Sequence, residues 1–230
     1  MIRRLLAILL LMLLVAIVSG CGGTSGGGGS PSSSDKDIIE IPKIYRALAI
    51  PTQCWPLHAP QTWVYNYTQS RLVARAGRPD SVASSFSGQD SMRVVNYIED
   101  VGHATVFIED SYKRAGEGFA ATWVYAFQDS SVMLPDGAGG QTVIFRFPIA
   151  EGMSWGHDPN QPAQGDIATW VVVGQDVAST PAGNFRSWKL AYDTPAFTLY
   201  RWFVPGLGIV AEEQAPHRGG RAYRMELVRH

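Results

Sequence analysis

The chain has 230 residues, of which 46% are hydrophobic, 11% aromatic and 17% charged, and its formal net charge is −1. That composition excludes a disordered chain, a collagen-like repeat, a coiled coil and a multi-span membrane protein. With no basic surplus to neutralise phosphates, it also argues against nucleic acid as a partner.

The chain opens with a short basic stretch, Arg3 and Arg4, followed by an unbroken apolar run over residues 5–18. A helix of that length spans roughly 21 Å, short of the ~30 Å hydrocarbon core of a bilayer. It suits the apolar region of a signal peptide, which is expected over residues 1–20. Small residues, Ser19 and Gly20, come next, and then Cys21. The tetrad Val18-Ser19-Gly20-Cys21 resembles a bacterial lipobox. That resemblance implies a diacylglycerol on the Cys21 sulfur, with cleavage leaving Cys21 as the acylated first residue. Stable anchoring needs more than one acyl chain, and a lipoprotein anchor supplies several. No Asp follows Cys21 directly, which resembles the pattern for the outer membrane in a two-membrane bacterium.

Residues 22–34 are almost entirely Gly, Ser, Thr and Pro. Residues 21–36 therefore read as an acylated cysteine and a flexible tether, holding a domain roughly 20 Å from the bilayer. Residues 37–230 form the folded domain. Cys54 is the only other cysteine, so the domain has no internal disulfide to expect. Cys54 reads either as a small buried hydrophobe or as a reactive thiol. Residues 38–50 give a weak helical signal between Pro42 and Pro51.

Beyond residue 60 the periodicity is two. Trp63, Tyr65 and Tyr67 share one face, as do Trp123, Tyr125 and Phe127, and Val143, Phe145 and Phe147. Trp188, Leu190 and Tyr192 do the same, and so do Tyr200, Trp202 and Val204, and Tyr223, Met225 and Leu227. Residues 93–98 and 104–108 are rich in β-branched and aromatic residues. Residues 168–173 end in a continuous apolar run, as in a strand covered on both faces. These are strand signals. Turn chemistry separates them at short intervals, including Pro181-Ala182-Gly183 and Pro205-Gly206-Leu207-Gly208. The expectation is an all-β fold: one antiparallel meander domain of about ten strands, forming a curved sheet or half-barrel. Two segments 92 residues apart, 55–63 and 147–155, share an aromatic-Pro-aliphatic start and a closing Trp. Two half-meanders entered by the same corner would explain the match, and chance is the alternative, since the residues that follow do not align.

Thr180-Pro181-Ala182-Gly183-Asn184-Phe185, the run from Trp202 through Pro205-Gly206-Leu207-Gly208 to Val210, and the opening from Trp55 to Tyr67 resemble a poorly characterised group of bacterial envelope lipoproteins. Pro60 stands where that pattern has Gly. The resemblance implies a single β-sheet domain, similar to the half-barrels of lipoprotein-localisation factors, and it brings no catalytic residues. Pro181, Gly183, Pro205, Gly206 and Gly208 are read as structural turn residues.

Chemistry is sparse. Gly152-Met153-Ser154-Trp155-Gly156 matches the Gly-x-Ser-x-Gly pattern, with Asp158 or Asp166 and His217 downstream. A nucleophile elbow needs a strand before the serine and a helix after it. Pro148 ends the preceding strand, and Pro159 and Pro162 oppose a helix, so no catalytic residue is assigned. The five histidines have no metal-ligand spacing, so neither a metal nor a cofactor is expected. Glu212-Glu213 and similar acidic neighbours read as solvated. Trp63, Tyr65, Tyr67, Trp123 and Tyr125 form a candidate aromatic ligand surface.

The expectation is a lipid-anchored envelope lipoprotein whose non-catalytic β domain binds an apolar ligand or an envelope partner. A structural or assembly lipoprotein acting by sheet-edge pairing is the alternative. A serine hydrolase using Ser154 is the third reading.

Overall fold

The computed structural model describes residues 37–41, 54–55, 60–100, 103–114, 117–135, 141–156 and 169–230, with side chains for all of these except 112–119. The leader, the lipobox residues Val18, Ser19 and Gly20, the acylation candidate Cys21 and the tether lie outside the described residues, as do His157, Asp158 and Asp166. So does most of the weak helical signal.

Thirteen strands follow one another: β1 (Ile38–Ile39), β2 (Thr62–Arg75), β3 (Arg78–Asp100), β4 (His103–Arg114), β5 (Glu117–Gln128), β6 (Ser131–Pro135), β7 (Gln141–Arg146), β8 (Ser154–Trp155), β9 (Trp170–Thr180), β10 (Gly183–Asp193), β11 (Phe197–Val204), β12 (Gly208–Pro216) and β13 (Gly220–Arg229). They form one sheet in the order β7-β6-β5-β4-β3-β2-β13-β12-β11-β10-β9-β8, with β1 added in parallel beside β10. Two six-stranded antiparallel meanders, β2–β7 and β8–β13, are thus joined by the β2–β13 ladder. The end strands β7 and β8 come back beside each other, so the sheet nearly closes into a barrel. Register shifts within the β2–β3, β3–β4, β9–β10 and β11–β12 ladders supply local bends that let the sheet curl. Of the two segments sharing a sequence pattern, Trp63 lies near the start of β2 and Trp155 in β8, each at the entry of its own meander, while residues 56–59 lie outside the described residues.

The strand count exceeds ten because β1 and β8 have two residues each, too short for any periodicity, and because β6 has five. One expected detail differs. Residues 170–173 are covered on one face only: Trp170 and Val172 are buried, while Val171 and Val173 point outward and are exposed. A run of β-branched residues suits a strand whether or not its outer face is covered, so the run could not settle the matter.

The core is the inside of the curl. The inward faces of β2, β5 and β13 contribute Trp63, Tyr65, Tyr125, Phe127 and Leu227, all buried. One end is stoppered by Cys54 and Trp55. The Trp55 ring meets Tyr125, Phe145 and Phe203 edge-on, with centroids 5.7, 5.1 and 5.9 Å away. The Cys54 carbonyl accepts a hydrogen bond from the Gly206 N–H at 2.7 Å, which fixes the stopper to the β11–β12 turn. Gly206 (φ +84°) and Gly208 (φ +109°) hold that turn in conformations side chains rarely adopt. At the same end, Pro181 and Ala182 form the β9–β10 turn, with Gly183 at φ +135°. Burial pushes the Cys54 thiol up to about 11, so at neutral pH it is a protonated, inert hydrophobe.

Candidate ligand-binding cavity

The unstoppered end of the barrel opens into a cavity of about 420 Å³. Its walls come from both meanders. Tyr67 (β2), Trp123 and Tyr125 (β5) and Tyr223 (β13) supply aromatic surface. Met92, Leu134, Ile209 and Met225 add aliphatic surface. Strand alternation explains the aromatic wall. Tyr67 continues the inward face of Trp63 and Tyr65, and Trp123 that of Tyr125 and Phe127.

The five aromatic residues singled out from the sequence therefore divide. Trp63 and Tyr65 lie deeper and are committed to the scaffold. The Trp63 Nε1–H donates to the Leu207 carbonyl at 2.9 Å, and the Tyr65 hydroxyl donates to the Ile209 carbonyl at 2.9 Å. Tyr67, Trp123 and Tyr125 reach the cavity, and Trp123 is 44% exposed.

Five charged residues also line the cavity: Asp90, Asp110, Glu212, Arg201 and Arg221. Glu212 and Arg201 form its base. The Arg201 guanidinium donates from Nε to Glu212 Oε2 at 2.6 Å, and the Tyr223 hydroxyl donates to Glu212 Oε1. Arg201 also stacks over Trp170, 4.6 Å from the ring centroid. Burial would lower its pKa, but Glu212 outweighs that and raises it, so Arg201 stays charged. Nearer the mouth, Arg221 Nη2 donates to the Tyr67 hydroxyl at 2.6 Å, and Tyr67 passes the chain on to Gln69 at 2.7 Å. Trp123 Nε1–H donates to Asp110 Oδ2 at 3.1 Å. Asp110 Oδ1 is buried with no hydrogen-bond partner among the described residues.

Sequence reasoning missed the charged members. The sequence places Glu212 among the solvated acidic neighbours, yet it is 9% exposed. Parity gave no clean signal: β11 carries apolar residues on both alternations, Leu199 and Phe203 beside Arg201 as well as Tyr200, Trp202 and Val204, and in β12 an extra residue at Val210 breaks the alternation between Ile209 and Glu212.

The phenols of Tyr65, Tyr125 and Tyr223 are all raised above the ordinary 10.0, chiefly by burial, with the Glu212 charge adding to each. The unfolded chain ionises these groups near pH 10, whereas the folded chain holds them neutral. Their stabilising contribution is complete below pH 10 and is lost as pH rises through the folded values. Each group costs about 1.4 kcal/mol per pH unit, about 4 kcal/mol per unit for the three. Alkaline unfolding is expected above pH 10, with tyrosinate absorbance rising together with loss of circular dichroism. Ionisation of all nine tyrosines near pH 10 with the fold intact would contradict this arrangement.

Ser154 stands apart from His217. Register runs from Ser154 to Val171, then to Ala191, then to Tyr200, three strand spacings or roughly 14 Å across the sheet. His217 lies beyond β12 and contacts Thr198 Oγ1, the Pro195 carbonyl and Asp193.

No protein-family model matches the sequence, and no curated protein matches it. Solved structures are similar, two of them as follows. A "putative lipoprotein" from Parabacteroides distasonis is 14% identical, with a TM-score of 0.50, covering 76% of this chain and 96% of that one. A "putative exported protein with YmcC-like fold" from Bacteroides fragilis is 18% identical, with a TM-score of 0.43, covering 72% and 94%. The likeness is one of fold.

Proposed function

We propose that this chain is a lipoprotein of a bacterial envelope, held at the membrane through Cys21, whose β domain binds a ligand in the mouth of the barrel. The cavity carries this reading. Its volume of about 420 Å³ and its aromatic and aliphatic walls suit an apolar body. The Arg221–Tyr67 pair at the mouth suits a polar head on the same molecule. The lipobox-like tetrad and the Gly/Ser tether support the anchor and a location outside the cytoplasm. The absence of Asp after Cys21 supports the outer membrane where the host has two membranes. The separation of Ser154 from His217 supports a binding domain rather than a serine hydrolase.

One observation favours sheet-edge pairing as a second reading. From Arg78 to Ser85, β3 is paired with β2 on one side. Its other edge has no strand beside it among the described residues, because the β3–β4 ladder begins only at Gln89. An open edge of that length is a template for a partner strand. Mass spectrometry of protein extracted gently from its own membrane tests both readings: a co-purifying small molecule supports the cavity, and a co-purifying polypeptide supports the edge.

A further inference from the structure

We propose that the arginine-bearing rim of the open end, formed by the β2–β3 hairpin tip and the β12–β13 turn, docks on anionic phospholipid headgroups. Residues 71–80 and 217–221 contain five arginines, Arg71, Arg75, Arg78, Arg218 and Arg221, against one acid, Asp80. All five are exposed. The whole chain is nearly neutral, so this concentration of positive charge is local.

The pairing register sharpens it. Arg71 lies directly opposite Arg221, and Arg75 directly opposite Arg78. Like charges facing each other across a ladder oppose pairing. The one acid is already used: Asp80 Oδ2 accepts the Gly219 N–H, tying the turn to the hairpin and holding the two arginine sets together. Among the described residues, no ion pair joins any of the five arginines to a carboxylate. An anion outside the molecule relieves this repulsion.

Exposed apolar side chains identify the anion's source. Val73 and Val82 are 47% and 62% exposed on the same hairpin. A dissolved anion gains nothing from them, whereas a headgroup layer accepts both arginine and valine. Arg71 and Arg75 lie on the same alternation of β2 as Tyr65 and Tyr67, and Arg221 itself lines the cavity. Docking therefore turns the cavity mouth towards the lipid. The proposal rests on the rim and stands whether or not the cavity takes a ligand.

The test uses the full chain with Val82→Cys, labelled there with an environment-sensitive fluorophore; the buried Cys54 stays unlabelled. Emission is expected to shift to the blue on phosphatidylcholine vesicles containing phosphatidylglycerol. Phosphatidylcholine alone produces no shift, and about 0.5 M salt reverses it. The triple variant Arg75→Gln/Arg78→Gln/Arg218→Gln is expected to weaken docking on the order of 100-fold, at about fivefold per arginine, with its thermal midpoint no lower than that of the native chain, since the Arg75–Arg78 repulsion is removed. Vesicle flotation reports attachment through Cys21 separately. Equal shifts on both lipids, no shift on either, a triple variant that docks normally, or a shift produced by soluble polyphosphate without vesicles overturns the proposal.

Discussion

Replacing Glu212 by alanine is expected to destabilise the domain by about 3–5 kcal/mol, because it leaves the Arg201 guanidinium charged and unpaired at the base of the cavity. The two side chains are 14% and 11% exposed, so water does little to compensate either partner. The Tyr223 hydroxyl loses its acceptor in the same variant. Arg201→Met is expected to cost a similar amount by stranding the carboxylate. The double variant Arg201→Met/Glu212→Leu is expected to recover most of the loss, since an apolar pair of similar volume replaces a buried ion pair at little net cost. Urea unfolding of the native chain, Glu212→Leu, Arg201→Met and the double variant checks this as a double-mutant cycle. Additive losses in the double variant would show that the two residues do not act as a pair.

Trp55→Ala is the second large effect, again about 3–5 kcal/mol. Trp55 is 2% exposed and touches aromatic rings from β5, β7 and β11 at once, so its loss leaves a void where the two meanders meet. Gly208 makes room for it. A Cβ there would lie 2.7 Å from Trp55 Nε1, on a backbone at φ +109° that already disfavours a side chain. Gly208→Ala is therefore expected to be destabilising in the native chain. In the Trp55→Ala background it is expected to cost less, because the clash is gone and only the backbone strain remains. Equal cost in both backgrounds, measured by denaturant unfolding, would show that the stopper does not sit against this turn.

The strands readable from sequence are those whose inward face is apolar and whose outward face is not. β5 is an example: Tyr125 and Phe127 alternate with exposed or half-exposed neighbours. β3 before residue 92 was not readable. Its Ser, Gly, Asp and Gln residues serve partly as a ribbon beyond the core and partly as cavity wall, so neither face needs to be apolar. β9 was readable as a strand, but its outer face was misjudged, since covered and uncovered valines look alike in a sequence.

The cavity shows the deeper limit. Tyr67, Trp123 and Tyr125 carried a visible stripe, but a stripe fits a filled core as well as a lined pocket. Trp63 and Tyr65, on the same alternation as Tyr67, in fact fill the core. What separates the two outcomes is the stopper at one end and the set of charges at the other. Those charges come from β3, β4, β11, β12 and β13, which only the closed topology brings together. The β2–β13 ladder that joins the two meanders leaves no local signature in either strand.

Intact-mass measurement of the chain, extracted from its own membrane in mild detergent and sprayed under native conditions, tests the central claim most directly. The expected spectrum shows a chain beginning at an acylated Cys21, carrying one non-covalent small molecule per domain. That molecule is expected to be lost on denaturation and absent from a Leu134→Trp variant that fills the cavity. A bare chain, or a small molecule retained equally by the filled variant, would contradict a ligand-binding barrel.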